Sequence, residues 1–459
     1  MVPSRAAFRA PPPYDKISAK GADADVQQRE LVVLAGLKAS GDPEADSLFR
    51  ELARLAEAAG GTVVGEVTSS RSRPHPATFI GPGKVEELLA LVLRTGAKLV
   101  IFNDELSPAQ VRNLTNILKC RVIDRTQLIL DIFAQRARSR EGKLQVELAQ
   151  LEYLLPRLSS TVEELSRLGG GIGTRGPGET QLEKDRRRVR RRLAHIRREL
   201  AAFEATRQVQ RAPRKRNQTP VVALVGYTNA GKSTLFNRLT GAQVSAQDRL
   251  FETLDPTLRR LQLGPGEEVI LADTVGFLRR LPHRLVAAFR ATLEEVVEAD
   301  LLLHVVDASD PEYGQQMAAV EQVLDELGVT APQLVVFNKM DQVGTQRFRS
   351  FAVTAPSVAI SAREGWGLDR LVQMIREHLP DPLVVREFVV PYSEARVLGW
   401  LQGSGRVLAH VYEPDAVRLR VELRASLAER VQAALAARSP EGVPASAGSR
   451  QSRPETEER

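Results

Sequence analysis

The stretch VVALVGYTNAGKSTLF, residues 221 to 236, restricts this chain more than any other. Its spacing, Gly226-x-x-x-x-Gly231-Lys232-Ser233, is that of a phosphate-binding loop. Such a loop works only between the end of a strand and the start of a helix. Both flanks agree: Val221 to Val225 is an apolar run, and Ser233 and Thr234 open a helical one. The glycines let the backbone N–H groups of Gly226, Tyr227, Thr228, Asn229, Ala230 and Gly231 close around phosphates, and the helix N-terminus adds positive potential. Lys232 is expected to reach the terminal phosphates, and Ser233 to give a hydroxyl ligand to Mg²⁺.

Further signals follow in chain order. Asp273-Thr-Val-Gly276 comes after the apolar run EVILA. Its aspartate can hold the water shell of the metal, and the Gly276 N–H can bond the terminal phosphate. Between the two motifs lies LFETLDPT, where Thr253 is the expected switch hydroxyl on Mg²⁺ and Thr257 the alternative. Lys232, Thr253 and Gly276 are therefore the expected catalytic set. Asn338-Lys339-Met340-Asp341 follows QLVVF. A carboxylate at Asp341 accepts from the N1 and N2 hydrogens of guanine, Asn338 braces the loop, and the Lys339 stem can lie along the base. After SVAI, a backbone N–H at Ser361-Ala362 can read the guanine O6. Each short motif is weak alone. Their common order, each at the carboxyl end of an apolar strand, is where open α/β sheets bind ligands. A buried carboxylate left unpaired by adenine makes GTP, not ATP, the expected substrate. One position departs from the usual pattern: Phe277 stands where many small GTPases carry a water-orienting glutamine. Slow intrinsic hydrolysis, accelerated by a partner, is the expectation.

The remaining chain divides around this domain. Residues 29–125 alternate apolar strands with helices that start near Pro43, Pro82 and Pro108, an order that implies a mainly parallel sheet. Residues 126–206 carry two seams of 4-3 spacing, Leu144 to Leu165 and Val189 to Phe203, which predict an antiparallel helical hairpin kinked at Pro156. Residues 207–218 read as a basic linker, 219–380 as the GTPase domain and 381–437 as a small α+β module. The ends, 1–28 and 438–459, read as disordered tails. The expected fold class is therefore α/β: a P-loop GTPase domain preceded by a βαβ domain with a long helical hairpin.

Composition narrows the partners. The 459 residues include 64 Lys and Arg against 57 Asp and Glu, so the charge of +7 is a modest basic surplus. Its clustering decides more than its total. Seven basic residues fall within Lys184 to Arg192, with Arg175 in the glycine-rich GGGIGTRGPGETQ just before. Lys184, Arg186, Arg187, Arg188, Arg190, Arg191, Arg192 and Arg175 are the RNA-contact candidates, because acids are scarce around them. That glycine-rich stretch follows a helix, which argues against a dinucleotide fingerprint. FIGPGK, with Lys84, invites a phosphate reading, but a Pro-Gly turn before a helix explains it. One cysteine excludes a disulfide framework and fits a reducing cytoplasm. No apolar run nears the roughly 20 residues of a membrane span, and nothing demands an oligomer.

GYTNAGKSTLFNRLT, ADTVGFLRRLPHRLVAAFRATLEE and VFNKMD, with RPHPATFIGPGK, CRVIDRTQLILDIFAQRARSREGKLQVELAQLEYLLPRL and GGGIGTRGPGETQLEKDRR, resemble the HflX family of translation-associated GTPases over roughly residues 30 to 380. The resemblance implies a GTPase that binds the large ribosomal subunit, splits stalled or inactive ribosomes and is stimulated by them. It also implies ATP binding in the N-terminal half, which nothing outside the P-loop shows independently. In related GTPases an asparagine at the position of Asn229 helps bind potassium, so K⁺ joins Mg²⁺ as an expected cation. The alternative is an RNA-remodelling protein whose N-terminal half acts on ribosomal RNA and whose GTPase domain regulates it.

Overall fold

The computed structural model describes residues 30–38, 43–158, 177–217, 219–242, 250–251, 253–264, 267–280, 293–343, 356–381 and 383–436. Both tails and the glycine-rich tip with Arg175 lie outside these residues. At the N-terminus β1 (Glu30–Leu37), α1 (Pro43–Ala58), β2 (Gly61–Ser69), α2 (Pro82–Thr95), β3 (Leu99–Phe102), α3 (Pro108–Leu118) and β4 (Arg121–Asp124) alternate. Their strands pair in parallel in the order β2-β1-β3-β4. Helix starts follow local chemistry. Gly81 and Pro82 begin α2, and Ser107 caps α3 in a reciprocal box with Gln110. Lys84 pairs with Glu87 at 2.7 Å within α2, so the FIGPGK segment is a turn and helix start.

Helix α4 (Arg125–Arg136) begins directly after β4, capped by Asp124, and buries seven of its residues. A helix apolar on most of its circumference belongs between layers. Helix α5 (Arg140–Arg157) is capped by Ser139 and ends after Pro156. Helix α6 (Pro177–Asn217) packs along it, with Arg192 on Glu147 at 2.6 Å and Arg197 on Glu152 at 2.7 Å. It runs to Asn217 and so takes in residues 207–217 of the stretch 207–218 expected as a linker. Arg, Lys, Gln and Ala are strong helix formers, and a lack of apolar residues does not end a helix.

The next sheet has the order β10-β9-β8-β5-β7-β6. It comprises β5 (Val221–Gly226), β6 (Thr257–Gly264), β7 (Glu267–Asp273), β8 (Leu301–Asp307), β9 (Gln333–Asn338) and β10 (Ser357–Ala359), with only the β6–β7 pair antiparallel. The helices α7 (Lys232–Thr240), α8 (Glu294–Val297), α9 (Tyr313–Glu326) and α10 (Leu368–His378) accompany it. A last antiparallel sheet of β11 (Leu383–Pro391), β13 (Ala416–Arg424) and β12 (Arg406–Tyr412) is covered by α11 (Ala395–Ser404) and α12 (Ala425–Ala436) around its own core.

One apolar cluster spans the first two sheets. It joins Val32, Leu52, Leu128, Phe133 and Tyr153 to Val225, Tyr227, Phe251, Phe277 and Val296. Phe133 meets Phe251 edge-on at 4.6 Å. Movements of the N-terminal helices and of the loops beside the P-loop therefore share one packed interior.

Candidate nucleotide site

The P-loop leaves the carboxyl end of β5, whose Val222 to Val225 are fully buried. Gly231 has φ 93°, and a Cβ there would stand 2.3 Å from Asn338 Nδ2. Only glycine permits both the turn and that approach. At Gly276 a Cβ would lie 2.8 Å from Thr228 Cα and 3.0 Å from Lys232 Nζ. The Asp273–Gly276 motif thus lies directly against the P-loop. Two backbone bonds fix this contact: Phe277 N–H donates to Gly226 O at 3.1 Å, and Thr228 N–H to Phe277 O at 2.9 Å.

Lys232 begins α7 and is buried, its ammonium donating to Gly226 O at 3.0 Å and Tyr227 O at 2.8 Å. Burial lowers its pKa to about 8, against the opposing charge of Asp273. Next to it, Ser233 Oγ donates to Asp273 Oδ2 at 2.8 Å, and Thr253 Oγ1 donates to the same oxygen at 2.9 Å. The two hydroxyls are 2.9 Å apart. Three hard oxygen donors converging beside a phosphate loop suit a small divalent cation. Thr257 is elsewhere: it heads β6, paired across the sheet with Asp273. Thr234 follows Ser233 in the first turn of α7.

On the other side of the P-loop, Asn338 ends β9 and is buried. Its Nδ2 donates to Ala230 O at 2.9 Å and its Oδ1 accepts from Ala362 N–H at 2.9 Å. Asp341 Oδ1 accepts from Ser361 Oγ at 2.6 Å, and Lys339 pairs with Asp307 at 2.7 Å. The expected O6 readers are both engaged, because Ser361 N–H donates to Trp366 O at 3.1 Å. Sequence order placed these amides at the site but could not show that neighbouring acceptors already take them.

Phe277 is 1% exposed and belongs to the shared apolar cluster. Its ring is in the interior instead of over the phosphate loop. Tyr227 likewise faces the N-terminal helices. Its hydroxyl donates to Glu51 of α1, and accepts from Arg279 N–H at 3.0 Å. Burial, then the negative charge of Glu51, pushes this phenol's pKa up. Glu51, 7% exposed, also receives Arg125 of α4, whose guanidinium donates to Arg279 O at 3.0 Å and Asn103 Oδ1 at 3.3 Å. The Arg279 guanidinium reaches Gln315 at 2.8 Å, Glu312 at 3.2 Å and Ser47. Arg279 is 8% exposed and engaged. No local pattern could have found this hub, since its members come from positions 47, 51, 125, 227, 279 and 312.

A cleft of about 1560 Å³ opens beside the P-loop. Thr228, Asn229, Asp307, Lys339, Arg54 and Arg136 are among its lining residues. Asn229, at φ 64°, is exposed there.

Of the basic run on α6, Arg192 is held by Glu147 and Arg187 by Glu183 at 3.3 Å. Lys184, Arg188, Arg190 and Arg191 are exposed, and Arg186 is half-buried. His304 is buried in β8, and burial with the nearby Lys232 charge lowers its pKa to about 4.

Three family models match the chain. They are a "GTP-binding GTPase N-terminal" region over residues 46–134, a "GTP-binding GTPase Middle Region" over 136–214 and a "50S ribosome-binding GTPase" over 221–339. The GTPase HflX of Caldanaerobacter subterraneus is 47% identical over 412 residues, which cover 88% of this chain and 94% of that relative. The GTPase HflX of Escherichia coli is 46% identical over 400 residues, covering 84% and 94%. That of Alkalihalophilus pseudofirmus is 56% identical over 322 residues, covering 69% and 76%. Among solved structures, a GTP-binding protein from Sulfolobus solfataricus in complex with GDP matches at 25% identity and a TM-score of 0.42, covering 76% of this chain and 98% of that one. No helix among the described residues is long and apolar enough to cross a membrane.

Proposed function

Because the chain belongs to the HflX family of GTPases and hydrolyses GTP, we propose that its nucleotide cycle governs binding to the large ribosomal subunit and the parting of stalled or inactive ribosomes. In this reading it acts as a monomer in the cytoplasm.

One observation carries the coupling. Asp255, two residues beyond Thr253, accepts from Arg138 N–H at 3.1 Å, from Ser139 N–H at 2.8 Å and from the Ser139 hydroxyl. Ser139 also caps α5, and α5 packs on α6, which carries the exposed basic run. An RNA surface that grips Lys184, Arg188, Arg190 and Arg191 through its phosphates would therefore pull on the segment that presents Thr253.

The chemistry needs positioning and charge neutralisation more than covalent help. Lys232 and the P-loop N–H groups face the phosphates. Ser233 and Thr253 would hold Mg²⁺, with Asp273 on its water shell. That ion, when bound, would neutralise charge that develops on the phosphates. Gly276 N–H bonds the terminal phosphate. Asp341 selects guanine through N1 and N2, and with the Ser361 and Ala362 amides engaged it bears most of the selection. Phe277 offers no hydrogen bond to water, so turnover waits until a partner orders the switch segments. Asn229 is the residue proposed to hold K⁺ at the phosphate edge, and equal GTPase rates in potassium and sodium would remove that assignment.

Co-sedimentation tests the main reading. Loaded with a non-hydrolysable GTP analogue, the protein should travel with the large subunit, and with GDP it should stay behind. Equal binding in both states favours the RNA-remodelling alternative, and no binding in either sinks the proposal.

A further inference from the structure

We propose that Arg136, supplied by the N-terminal half of the same chain, is a catalytic arginine that contacts the phosphates of bound GTP. The inference rests on the phosphates lying over the P-loop, as read above.

Arg136 is the last residue of α4 and lies in the wall of the cleft that Thr228 and Asn229 also line. Its place is fixed on both sides. Three residues before it, Phe133 packs edge-on against Phe251. Three residues after it, Ser139 is bonded to Asp255. The chain around Arg136 is thus fastened to Phe251 and Asp255, on either side of Thr253. Thr253 itself lies 2.9 Å from Ser233, the residue that follows Lys232 of the P-loop.

Its electrostatic surroundings differ from those of its neighbours. Arg50 and Arg279 are occupied by Glu312, and Lys339 by Asp307. Arg136 is half-buried, and its Nε is buried with no hydrogen-bond acceptor among the described residues. No carboxylate among them lies within 4.0 Å of it. Arg54, the other unpaired cation of that wall among the described residues, is exposed on α1. A half-buried guanidinium without a counter-charge is a strong donor for an anion entering the cleft. At a phosphoryl-transfer site such a group stabilises charge that develops on the transferring oxygens, and an arginine can be provided in cis. No bond to the protein forms: water attacks the terminal phosphorus, the bond to the β–γ bridging oxygen breaks, and GDP and inorganic phosphate leave.

The test compares parent, Arg136→Ala, Arg136→Gln and Lys232→Ala as full-length chains. The readouts are ribosome-free GTP turnover, the Kd for a fluorescent GDP, the Kd for the same GDP with aluminium fluoride, and thermal unfolding. The Arg136 variants should lose at least tenfold in kcat and in affinity for the aluminium fluoride complex, with the GDP Kd within threefold of parent. A smaller loss of turnover overturns the proposal, and so does an equal loss of GDP affinity and rate, which marks a packing role. If the alanine variant unfolds early, Arg136→Gln, which keeps the stem and drops the charge, decides by the same thresholds. Nucleotide binding retained by Lys232→Ala would instead overturn the placement of GTP itself.

Discussion

Replacing Phe277 by glutamine restores, on paper, the water-orienting residue that many small GTPases carry. The packing predicts a different result. Phe277 is 1% exposed and lies in the cluster that joins the N-terminal helices to the nucleotide domain. Removing a fully buried phenyl ring costs about 2 kcal/mol of transfer free energy. An amide left there without partners costs about 2 kcal/mol more. The sum, about 4 kcal/mol, equals a urea midpoint lower by roughly 1.3 to 2 M at a slope of about 2 to 3 kcal/mol per M. The assay is urea unfolding followed by circular dichroism, paired with GTP turnover in the absence of ribosomes. Phe277→Gln should be strongly destabilised and no faster than the parent. A variant within about 1 kcal/mol of parent stability that turns over GTP ten times faster alone would refute this reasoning. It would mean that the side chain at 277 reaches the phosphates in the GTP state.

Three other outcomes follow from the geometry. Asp341→Asn should weaken GTP binding by about a hundredfold, because the guanine N1 and N2 hydrogens lose their acceptor; titration with fluorescent GTP and ATP checks this, and undiminished preference for GTP would count against Asp341. Glu51→Ala strands the buried guanidiniums of Arg125 and Arg279 and should cost about 3 to 5 kcal/mol in unfolding experiments. His304 should make the fold acid-sensitive. Its folded pKa of about 4 lies below the ordinary 6.5, so between those values the unfolded chain takes up a proton that the folded chain refuses. Stability therefore falls as pH drops from 6.5 to 4, by about 3 kcal/mol. A His304→Leu variant should lose that part of the slope, measured as the difference in unfolding free energy between pH 7 and pH 4.5.

The nucleotide site was largely legible because each of its motifs is local. Gly226 to Ser233, Asp273 to Gly276 and Asn338 to Asp341 each follow one strand, and the alternation of strands and helices implies the sheet that gathers them. Choosing between Thr253 and Thr257 needed coordinates, because both lie in one loop; β6 takes up Thr257 and leaves Thr253 beside Ser233. Glu51, Arg125, Tyr227 and Arg279 carry no sequence signal of their meeting, since the contact forms only when two sheets dock. The engagement of the Ser361 and Ala362 amides with Trp366 and Asn338 is a matter of hydrogen-bond accounting that spacing does not reveal. The helix through residues 207–217 was hidden by its charge, because polarity alone does not separate a solvated helix from a linker.

The central claim is that this enzyme holds a complete GTP site but leaves water positioning to a partner. The most direct measurement is GTP turnover by the full-length protein in potassium buffer, alone and with purified large ribosomal subunits. Hydrolysis should be slow alone and rise at least tenfold with the subunits. Equal rates with and without them would contradict the claim.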